Sequence, residues 1–175
     1  ADAVAGMIKS GGTTRRAAKM ICMDVKHPDI LKQRNGAPGF ITCKEEAEYE
    51  AQALFSTGKY SAEWNVPGNV YERVDFQNAN HSVRVTDEFM RTVGNNGWWE
   101  TKQRDGAFQN LYSARELFKA MAKAAWVCGD PGLQFDTTIN NWHTTPKAGR
   151  INASNPCSEY MYVDDSACNL ASFNL

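Results

Sequence analysis

The chain has 175 residues, of which 42% are hydrophobic and 22% are charged. This composition is typical of a globular protein with one ordinary domain, or of a piece of a larger one. The formal net charge of -1 gives no long-range attraction to nucleic acid or to a membrane surface, so an anionic ligand would have to be bound by local groups.

The sequence also lacks targeting signals. No apolar run approaches the roughly 20 residues that a membrane-spanning helix needs, and the N-terminal residues do not resemble a signal peptide. We therefore expect a cytoplasmic protein. The five cysteines are unevenly spaced and include no C-x-x-C pair, so we predict free thiols rather than a disulfide framework or a structural zinc site.

Strand and helix signals alternate along the chain, which predicts an α/β fold with partly parallel strands. Short apolar runs predict strands at 20–25, 82–85 and 160–163, and helix-forming patterns predict helices at 44–55, 86–94 and 113–128. A helix that would begin at Pro28 is interrupted by the turn-rich run 33–39, which we interpret as an insertion in a surface loop.

The helix at 113–128 has the clearest boundaries. Ser113 and Glu116 form a capping-box pattern at its start, and Gly129 follows its end. Cys128 lies on its apolar face, so we expect a buried structural thiol there. Thr86 is the expected cap of the helix that follows the second strand.

The run Asn155-Pro156-Cys157-Ser158-Glu159-Tyr160 could hold a nucleophile, a metal ligand, half of a disulfide or a buried thiol. If the segment is extended, the side chains at 155, 157 and 159 lie on one side. A neighbouring carboxylate disfavours a thiolate. The trio therefore suits chemistry in which the sulfur acts uncharged while Glu159 and Asn155 handle hydroxyl protons.

Two other possibilities rest on single motifs. His143 could act as a base for Cys157 in a thiol hydrolase. The three histidines do not cluster in the sequence, so we expect no metal site. The run 10–18, SGGTTRRAA, could bring backbone N–H groups to an anion, although a tight turn with solvated arginines is the simpler interpretation. It has neither Walker A nor dinucleotide-fingerprint spacing.

The cysteine loop closely resembles the catalytic loop of ribonucleotide reductase large subunits, particularly the adenosylcobalamin-dependent class II enzymes. The resemblance is carried by NPCSE, by Cys168 eleven positions after Cys157, and by four further blocks in family order. These blocks are SGGTTRRAAKM at 10–20, DVKHPDI at 24–30, QNANHSVRVTDEFM at 77–90 and GDPGLQFDTTINNWHTTP at 129–146. Together they cover most of the chain.

The resemblance implies that residues 1–175 are one segment, incomplete at both ends, of a ten-stranded α/β barrel. That barrel has two parallel five-stranded halves and a central finger loop that carries Cys157. By resemblance, Cys157 forms the thiyl radical, Glu159 accepts the 3′-OH proton and Asn155 hydrogen-bonds the ribose hydroxyls. Pro156 and Ser158 complete the substrate-binding loop.

The resemblance also implies a redox-active cysteine pair, of which Cys168 is one member. The resemblance implies that its partner lies upstream of this segment, and none of Cys22, Cys43 or Cys128 lies in a matching motif. The implied cofactor is adenosylcobalamin. The implied small-molecule partners are a ribonucleotide substrate and a dNTP or ATP effector, together with a thioredoxin-like or dithiol reductant. The implied protein partners are the remainder of the same polypeptide and a second subunit in a homodimer. Neither nucleic acid nor a membrane is expected as a partner.

The block QNANHSVR resembles the loop through which the effector adjusts substrate choice. This predicts that Gln77, Asn78, Asn80 and Arg84 read base edges, although a polar turn leading into a strand explains the same residues. Three alternatives stay open at this point: a class I, metal-radical reductase with a class II-like sequence, the thiol hydrolase, and a non-catalytic nucleotide-binding fragment. We predict that the 175-residue chain is inactive on its own.

Overall fold

The computed structural model describes residues 4, 7, 19–33, 35–169 and 171–174. From residue 19 onward, the described residues form seven strands and four helices, with short 3-10 turns at Val70–Glu72 and Pro146–Ala148. In chain order they are β1 (Lys19–Asp24), α1 (Cys43–Ser56), β2 (Ala79–Val85), α2 (Asp87–Gly94), β3 (Trp98–Lys102), β4 (Phe108–Ser113), α3 (Ala114–Cys128), β5 (Gly132–Phe135), α4 (Asp136–Asn141), β6 (Ile151–Ser154) and β7 (Met161–Val163).

The centre of the fold is a parallel sheet in the order β1-β2-β5. Lys19 pairs with Ala79 at one end of the sheet, and Arg84 pairs with Gln134 at the other. Two antiparallel pairs, β3–β4 and β6–β7, lie outside this sheet. The predicted α/β class with partly parallel strands is confirmed. The described residues form an open three-stranded parallel sheet, and they do not close a barrel.

The two faces of the parallel sheet differ in chemistry. Val83 and Val85 lie in the apolar core, and Ile21 and Met23 pack against it. The alternate positions of β2 are the polar residues Asn80, Ser82 and Arg84, and they point to the opposite face because side chains of a strand alternate between faces. On this polar face, Arg84 contacts Gln134. The sheet thus has one face for packing and one face for polar contacts.

The helices cover the apolar face. Phe89 of α2 and Leu117 and Met121 of α3 are almost fully buried in the same cluster as Ile30 and Ile41. Burying a large apolar side chain contributes roughly 1.5–3 kcal/mol to the stability of the folded state. This layer holds the sheet in place beneath the polar face.

The predicted helix boundaries are largely confirmed. Ser113 Oγ accepts a hydrogen bond from Glu116 N at 3.4 Å, and Thr86 Oγ1 accepts one from Phe89 N at 3.2 Å. Gly129 takes a left-handed conformation with φ 82° at the end of α3, as a C-terminal glycine commonly does. Cys128 is half-buried rather than fully buried, because it lies in the last turn of the helix.

Two regions differ from the sequence-based expectation. In the described residues that follow Pro28, no helix forms. The chain turns there instead, and the described part of 33–39 is a tight loop closed by a bridge between Lys32 and Pro38. The β3–β4 hairpin was not predicted, although Asp105-Gly106 between the two strands is a recognised hairpin signal.

Candidate active site

The predicted catalytic residues lie in the loop of the β6–β7 hairpin. Ser154 pairs with Met161 where the two strands meet the loop. Asn155 N donates to Tyr160 O at 3.2 Å, and Tyr160 N donates to Asn155 Oδ1 at 3.1 Å. The backbone and the side chain of Asn155 therefore both close the loop.

The loop is a turn and not an extended segment. Ser158 N donates to Asn155 O at 2.9 Å, and Ser158 has a φ of 61°. A left-handed conformation is uncommon for a residue other than glycine, and it costs of order 1–3 kcal/mol unless the surroundings compensate. The two-residue alternation that we expected for Asn155, Cys157 and Glu159 therefore does not apply here.

The loop residues differ in exposure. Cys157 and Glu159 are exposed, whereas Asn155, Pro156 and Ser158 are half-buried. The described residues therefore present the thiol and the carboxylate outward. The water-poor enclosure that a radical cysteine requires is not formed by these residues.

A buried polar network lies directly beneath the loop. Arg84 and Gln134 are 4% and 3% exposed, and Arg84 Nη1 donates to Gln134 Oε1 at 3.1 Å. Gln134 Nε2 donates to Ser154 Oγ at 2.6 Å and lies 3.5 Å from Ser158 Oγ. Ser154 Oγ donates to Asn155 O at 2.8 Å. The network thus connects the sheet to the backbone of the cysteine loop.

Further contacts attach the β6 strand to the sheet. Arg84 Nε donates to Asp136 Oδ1 at 3.1 Å, and Arg84 Nη2 donates to Ile151 O at 2.7 Å. Asn140 also holds Ile151, donating from Nδ2 to its carbonyl at 3.1 Å and accepting from its N–H at 3.0 Å. Arg150 pairs with the other oxygen of Asp136.

Of the side chains in this network, only Arg84 is predicted from the sequence to have a functional role. Gln134 and Asp136 appeared only within a block of family resemblance, and Ser154 was not singled out. A signal was present, because Gln134 and Asp136 alternate with the apolar residues Leu133 and Phe135 at the end of a short strand. Nothing in that local pattern identifies Ser154 or Arg84 as their partners.

The predicted effector residues divide into two groups. Gln77, Asn78 and Asn80 are exposed around the start of β2, and Asn78 lines a cavity of about 640 Å³ together with Phe40 and Phe76. Arg84 lies near the other end of β2, buried in the polar network. The structure therefore brings Arg84 to the cysteine loop and not to the other three residues.

A second cavity of about 600 Å³ adjoins the cysteine loop. Ser158 and Tyr160 line it from the loop, Phe135 lines it from the end of β5, and Trp142 lines it from the position that follows α4. The cavity has aromatic walls and lies beside Ser158, the residue between Cys157 and Glu159. An apolar surface therefore adjoins these two reactive groups.

His143 is not arranged as a base for Cys157. Its Nε2 lies 3.1 Å from Gly149 O, and its Nδ1 accepts from Thr145 N at 3.4 Å. Both ring nitrogens therefore contact backbone groups of their own turn. Within the described residues, no group of three or more His, Cys, Asp and Glu side chains could hold a metal ion.

All five cysteines are free thiols, as predicted. Cys168 is half-buried, and Cys22 Sγ lies 3.6 Å from Gln134 Oε1. Cys43 is buried, with its sulfur 3.5 Å from Phe40 O and 3.8 Å from His81 Nδ1. Burial raises the pKa of the Cys43 thiol to about 11, and burial also raises the pKa of Cys128.

The possible anion-binding run at 10–18 lies outside the residues that the structure describes. Within the described part, no helix is long and apolar enough to cross a membrane.

The parallel sheet, with the cysteine hairpin attached to its polar face, defines a domain of the α/β class. A family model described as "Ribonucleotide reductase, barrel domain" matches residues 1–175. The chain therefore belongs to the ribonucleotide reductase family, as its motifs indicated.

Curated relatives agree with this assignment. The chain is 52% identical to the vitamin B12-dependent ribonucleotide reductase of Rhodopirellula baltica, over 99% of this chain and 16% of the relative. It is 51% identical to the protein of the same name from Streptomyces clavuligerus, over 100% of this chain and 17% of that protein. A vitamin B12-dependent ribonucleoside-diphosphate reductase of Mycobacterium tuberculosis is 37% identical over 99% of this chain and 20% of its own length. The chain thus spans about a sixth of the length of the first two relatives.

Proposed function

We propose that this chain is the central part of the catalytic barrel of an adenosylcobalamin-dependent ribonucleotide reductase. The enzyme would reduce ribonucleoside di- or triphosphates to 2′-deoxyribonucleotides for DNA synthesis, within a ten-stranded barrel whose finger loop is the β6–β7 hairpin. The observation that carries the proposal is this loop, which presents Cys157 and Glu159 outward from a turn that Asn155 closes. The family match over the whole chain supports it.

The proposed chemistry uses three side chains of the loop. Cys157, as a thiyl radical, removes the hydrogen atom from the 3′ carbon of the ribose. Glu159 accepts the 3′-OH proton, and the 2′-OH leaves as water. Asn155 Oδ1 already accepts from Tyr160 N, so the amide N–H groups of Asn155 are the donors that it offers to the ribose hydroxyls.

The cofactor would act on the Cys157 sulfur. When bound, adenosylcobalamin supplies the radical that takes the hydrogen atom from this thiol. The exposure of Cys157 at the hairpin loop fits that requirement, because the sulfur is accessible to a group outside this segment. The role of this chain would be to hold the Cys157 thiol, the Glu159 carboxylate and the Asn155 amide in one fixed arrangement.

The reducing electrons would come from a cysteine pair that becomes a disulfide. We propose Cys168 as one member, with its partner in a preceding part of the polypeptide. A thioredoxin-like protein or a dithiol would then reduce the disulfide. The half-buried position of Cys168 supports this role, because a redox thiol needs access to its partner while staying shielded from other oxidants.

We also propose that the complete enzyme is a homodimer with a dNTP or ATP effector. Gln77, Asn78 and Asn80 are the residues of the resembling loop that are exposed to contact it. An Asn78→Ala variant of the complete enzyme is expected to change how effectors alter substrate choice while keeping the effector-free rate. Unchanged substrate preferences with every effector would remove this part of the proposal.

The decisive experiment replaces Cys157 in the complete reductase. We expect Cys157→Ser to abolish formation of deoxyribonucleotide with adenosylcobalamin and a dithiol, because a hydroxyl hydrogen is far harder to abstract than a thiol hydrogen. Cys128→Ser is the matched control, since Cys128 lies outside the cysteine loop and its thiol hydrogen-bonds to backbone oxygens, those of Ala124 and Asp130. A Cys157→Ser enzyme with the wild-type rate would refute the proposal.

Two alternatives have their own tests. Hydrogen–tritium exchange at the 5′ carbon of adenosylcobalamin separates a cobalamin enzyme from a class I enzyme, which makes its radical at a metal site in another subunit. A hydrolase would need His143 next to Cys157, and the backbone contacts of the His143 ring do not support that pairing.

A further inference from the structure

The polar face of the sheet contains a buried charge beneath the cysteine loop. Burying a guanidinium group is costly unless its N–H groups are paired. The Arg84 guanidinium meets this condition through Asp136, Gln134 and the Ile151 carbonyl. The first two partners belong to β5 and its continuation, and the third belongs to β6. One buried side chain therefore joins the parallel sheet to the hairpin.

The hydrogen bonds beyond Arg84 have a fixed direction. A guanidinium group can only donate, so it binds the Oε1 atom of Gln134 and leaves the amide nitrogen directed at the hairpin. Gln134 Nε2 donates to Ser154 Oγ at 2.6 Å, and Ser154 Oγ donates to Asn155 O at 2.8 Å. Each link fixes the orientation of the next one.

This directed chain ends within the catalytic loop itself. Asn155 O also accepts from Ser158 N at 2.9 Å, and Ser158 is the left-handed residue between Cys157 and Glu159. Ser158 Oγ lies 3.2 Å from Ser154 Oγ and 3.5 Å from Gln134 Nε2. Ser154 therefore contacts the strained turn at both of its ends, and Gln134 contacts both Ser154 and the Ser158 end of the turn.

We infer that Arg84 and Gln134 are positioning residues for the reaction at Cys157. They do not touch the reacting atoms. They set the orientation of Ser154, and through it the turn that places Cys157 and Glu159 relative to each other. The inference rests on the proposed ribonucleotide reduction and adds residues that the loop motif does not include.

Gln134→Glu in the complete reductase breaks one link of the chain with almost no change in shape. A carboxylate still accepts from Arg84, but it cannot donate to Ser154. We expect kcat to fall roughly 100-fold, since misplacement by about 1 Å can cost that much, with a much smaller change in KM. The kinetic isotope effect of a substrate deuterated at the 3′ carbon is expected to rise, because hydrogen removal becomes more rate-limiting.

Gln103→Glu is the matched control. Gln103 also loses an amide donor in this substitution, namely its 2.7 Å hydrogen bond to Gln109 Oε1, but it lies in the turn between β3 and β4. We expect wild-type kcat and a wild-type isotope effect for this variant. If kcat and the isotope effect change in Gln134→Glu but not in Gln103→Glu, the cause is the altered cysteine loop. The loss of an amide hydrogen bond elsewhere in the protein does not produce the same effect.

Ser154→Ala tests the same link from the other side. Because the two changes interrupt one chain, the effects on kcat in the double variant with Gln134→Glu should be far from additive. Ser154→Ala also keeps the inference testable if Gln134→Glu does not fold. Additive effects, or wild-type kcat and isotope effects in every folded variant, would overturn it.

The proposed function and the positioning role can fail separately. If the wild-type enzyme forms no deoxyribonucleotide, the proposed function fails. The rate at which iodoacetamide alkylates Cys157 still reports on the loop in that case. A changed rate in Gln134→Glu, with an unchanged rate in Gln103→Glu, supports the positioning role, and equal rates in both variants refute it.

Discussion

Glu159 is a surface carboxylate, and what distinguishes it from other surface carboxylates is its position in the cysteine loop. It is exposed beside Cys157, so its predicted role rests on the hydroxyl that it would meet in a bound ribose. A general base contributes typically 10²–10⁴-fold to a rate. We expect Glu159→Gln to lower kcat by about that factor while substrate binding is retained.

The measurement for Glu159 is steady-state turnover of the complete enzyme together with substrate affinity. Glu63→Gln is a suitable control, because Glu63 is also exposed but lies in the loop between α1 and β2. Equal turnover by the Glu159→Gln and wild-type enzymes would show that another group accepts the proton.

Cys43 allows a prediction about pH, because burial raises the pKa of its thiol to about 11. The folded state therefore favours the neutral thiol more than the unfolded state does. The stabilisation is complete below the pKa of the unfolded thiol, and it is lost as the pH rises toward the pKa of the folded thiol. We expect the stability advantage of wild type over Cys43→Ala to shrink as the pH rises from about 8 through about 11.

Denaturant unfolding of both proteins at several pH values measures this difference, since titrations common to both proteins cancel. Alkylation gives an independent readout. Exposed Cys157 should react with iodoacetamide in the folded protein, whereas buried Cys43 should react only after unfolding. A stability difference independent of pH would contradict the prediction.

At the scale of elements, Gly39 has a steric role that can be tested. A Cβ atom at this position would lie 2.3 Å from the backbone carbon of Leu31. Because the conflict is with backbone, the loop would have to shift at a cost of about 1–3 kcal/mol. We expect Gly39→Ala to destabilise the segment that carries buried Ile30 and Ile41.

Hydrogen exchange over residues 28–43 measures this local effect. Gly39 N donates to Leu31 O and Ile41 N donates to Ile30 O, both at 3.0 Å, so these amides should exchange faster in the variant. Gly94→Ala is the control, since a Cβ there meets nothing within 4 Å at the end of α2. Slowed or unchanged exchange in Gly39→Ala would show that the loop absorbs the methyl group.

The elements predicted correctly from sequence are those with local signals. The caps Ser113 and Thr86 act within three residues of themselves, so the pattern alone determines where their helices begin. The hairpin at Asp105-Gly106 also had a local signal, and it was missed because its strands mix aromatic, charged and amide residues without strict alternation.

The rest of the site depends on contacts distant in sequence. Arg84 and Gln134 meet because β2 and β5 pair in one register, and no local pattern specifies that register. Ser158 takes a left-handed conformation because the loop must close between β6 and β7. The motif thus identified Cys157, Glu159 and Asn155 as candidate catalytic residues. The side chains that hold their loop in place could be found only from the tertiary structure.

At the scale of the whole molecule, Cys157 and the open sheet lead to the last prediction. The parallel sheet in the described residues has three strands and does not close, and Cys157 is exposed. A radical at an exposed sulfur would be accessible to solvent and oxidants, and excluding them is a task of an enclosed site. We expect the 175-residue chain alone to form no deoxyribonucleotide, even with adenosylcobalamin and a dithiol.

The comparison is turnover by this chain and by the complete reductase under the same conditions. Circular dichroism should first show whether the chain alone keeps its helices, because an unfolded chain would be inactive for a trivial reason. A folded chain without turnover agrees with the prediction that the thiol needs an enclosure from outside this segment. Deoxyribonucleotide formed by the chain alone would contradict it, and would mean that the hairpin and the polar network beneath it suffice to protect the radical.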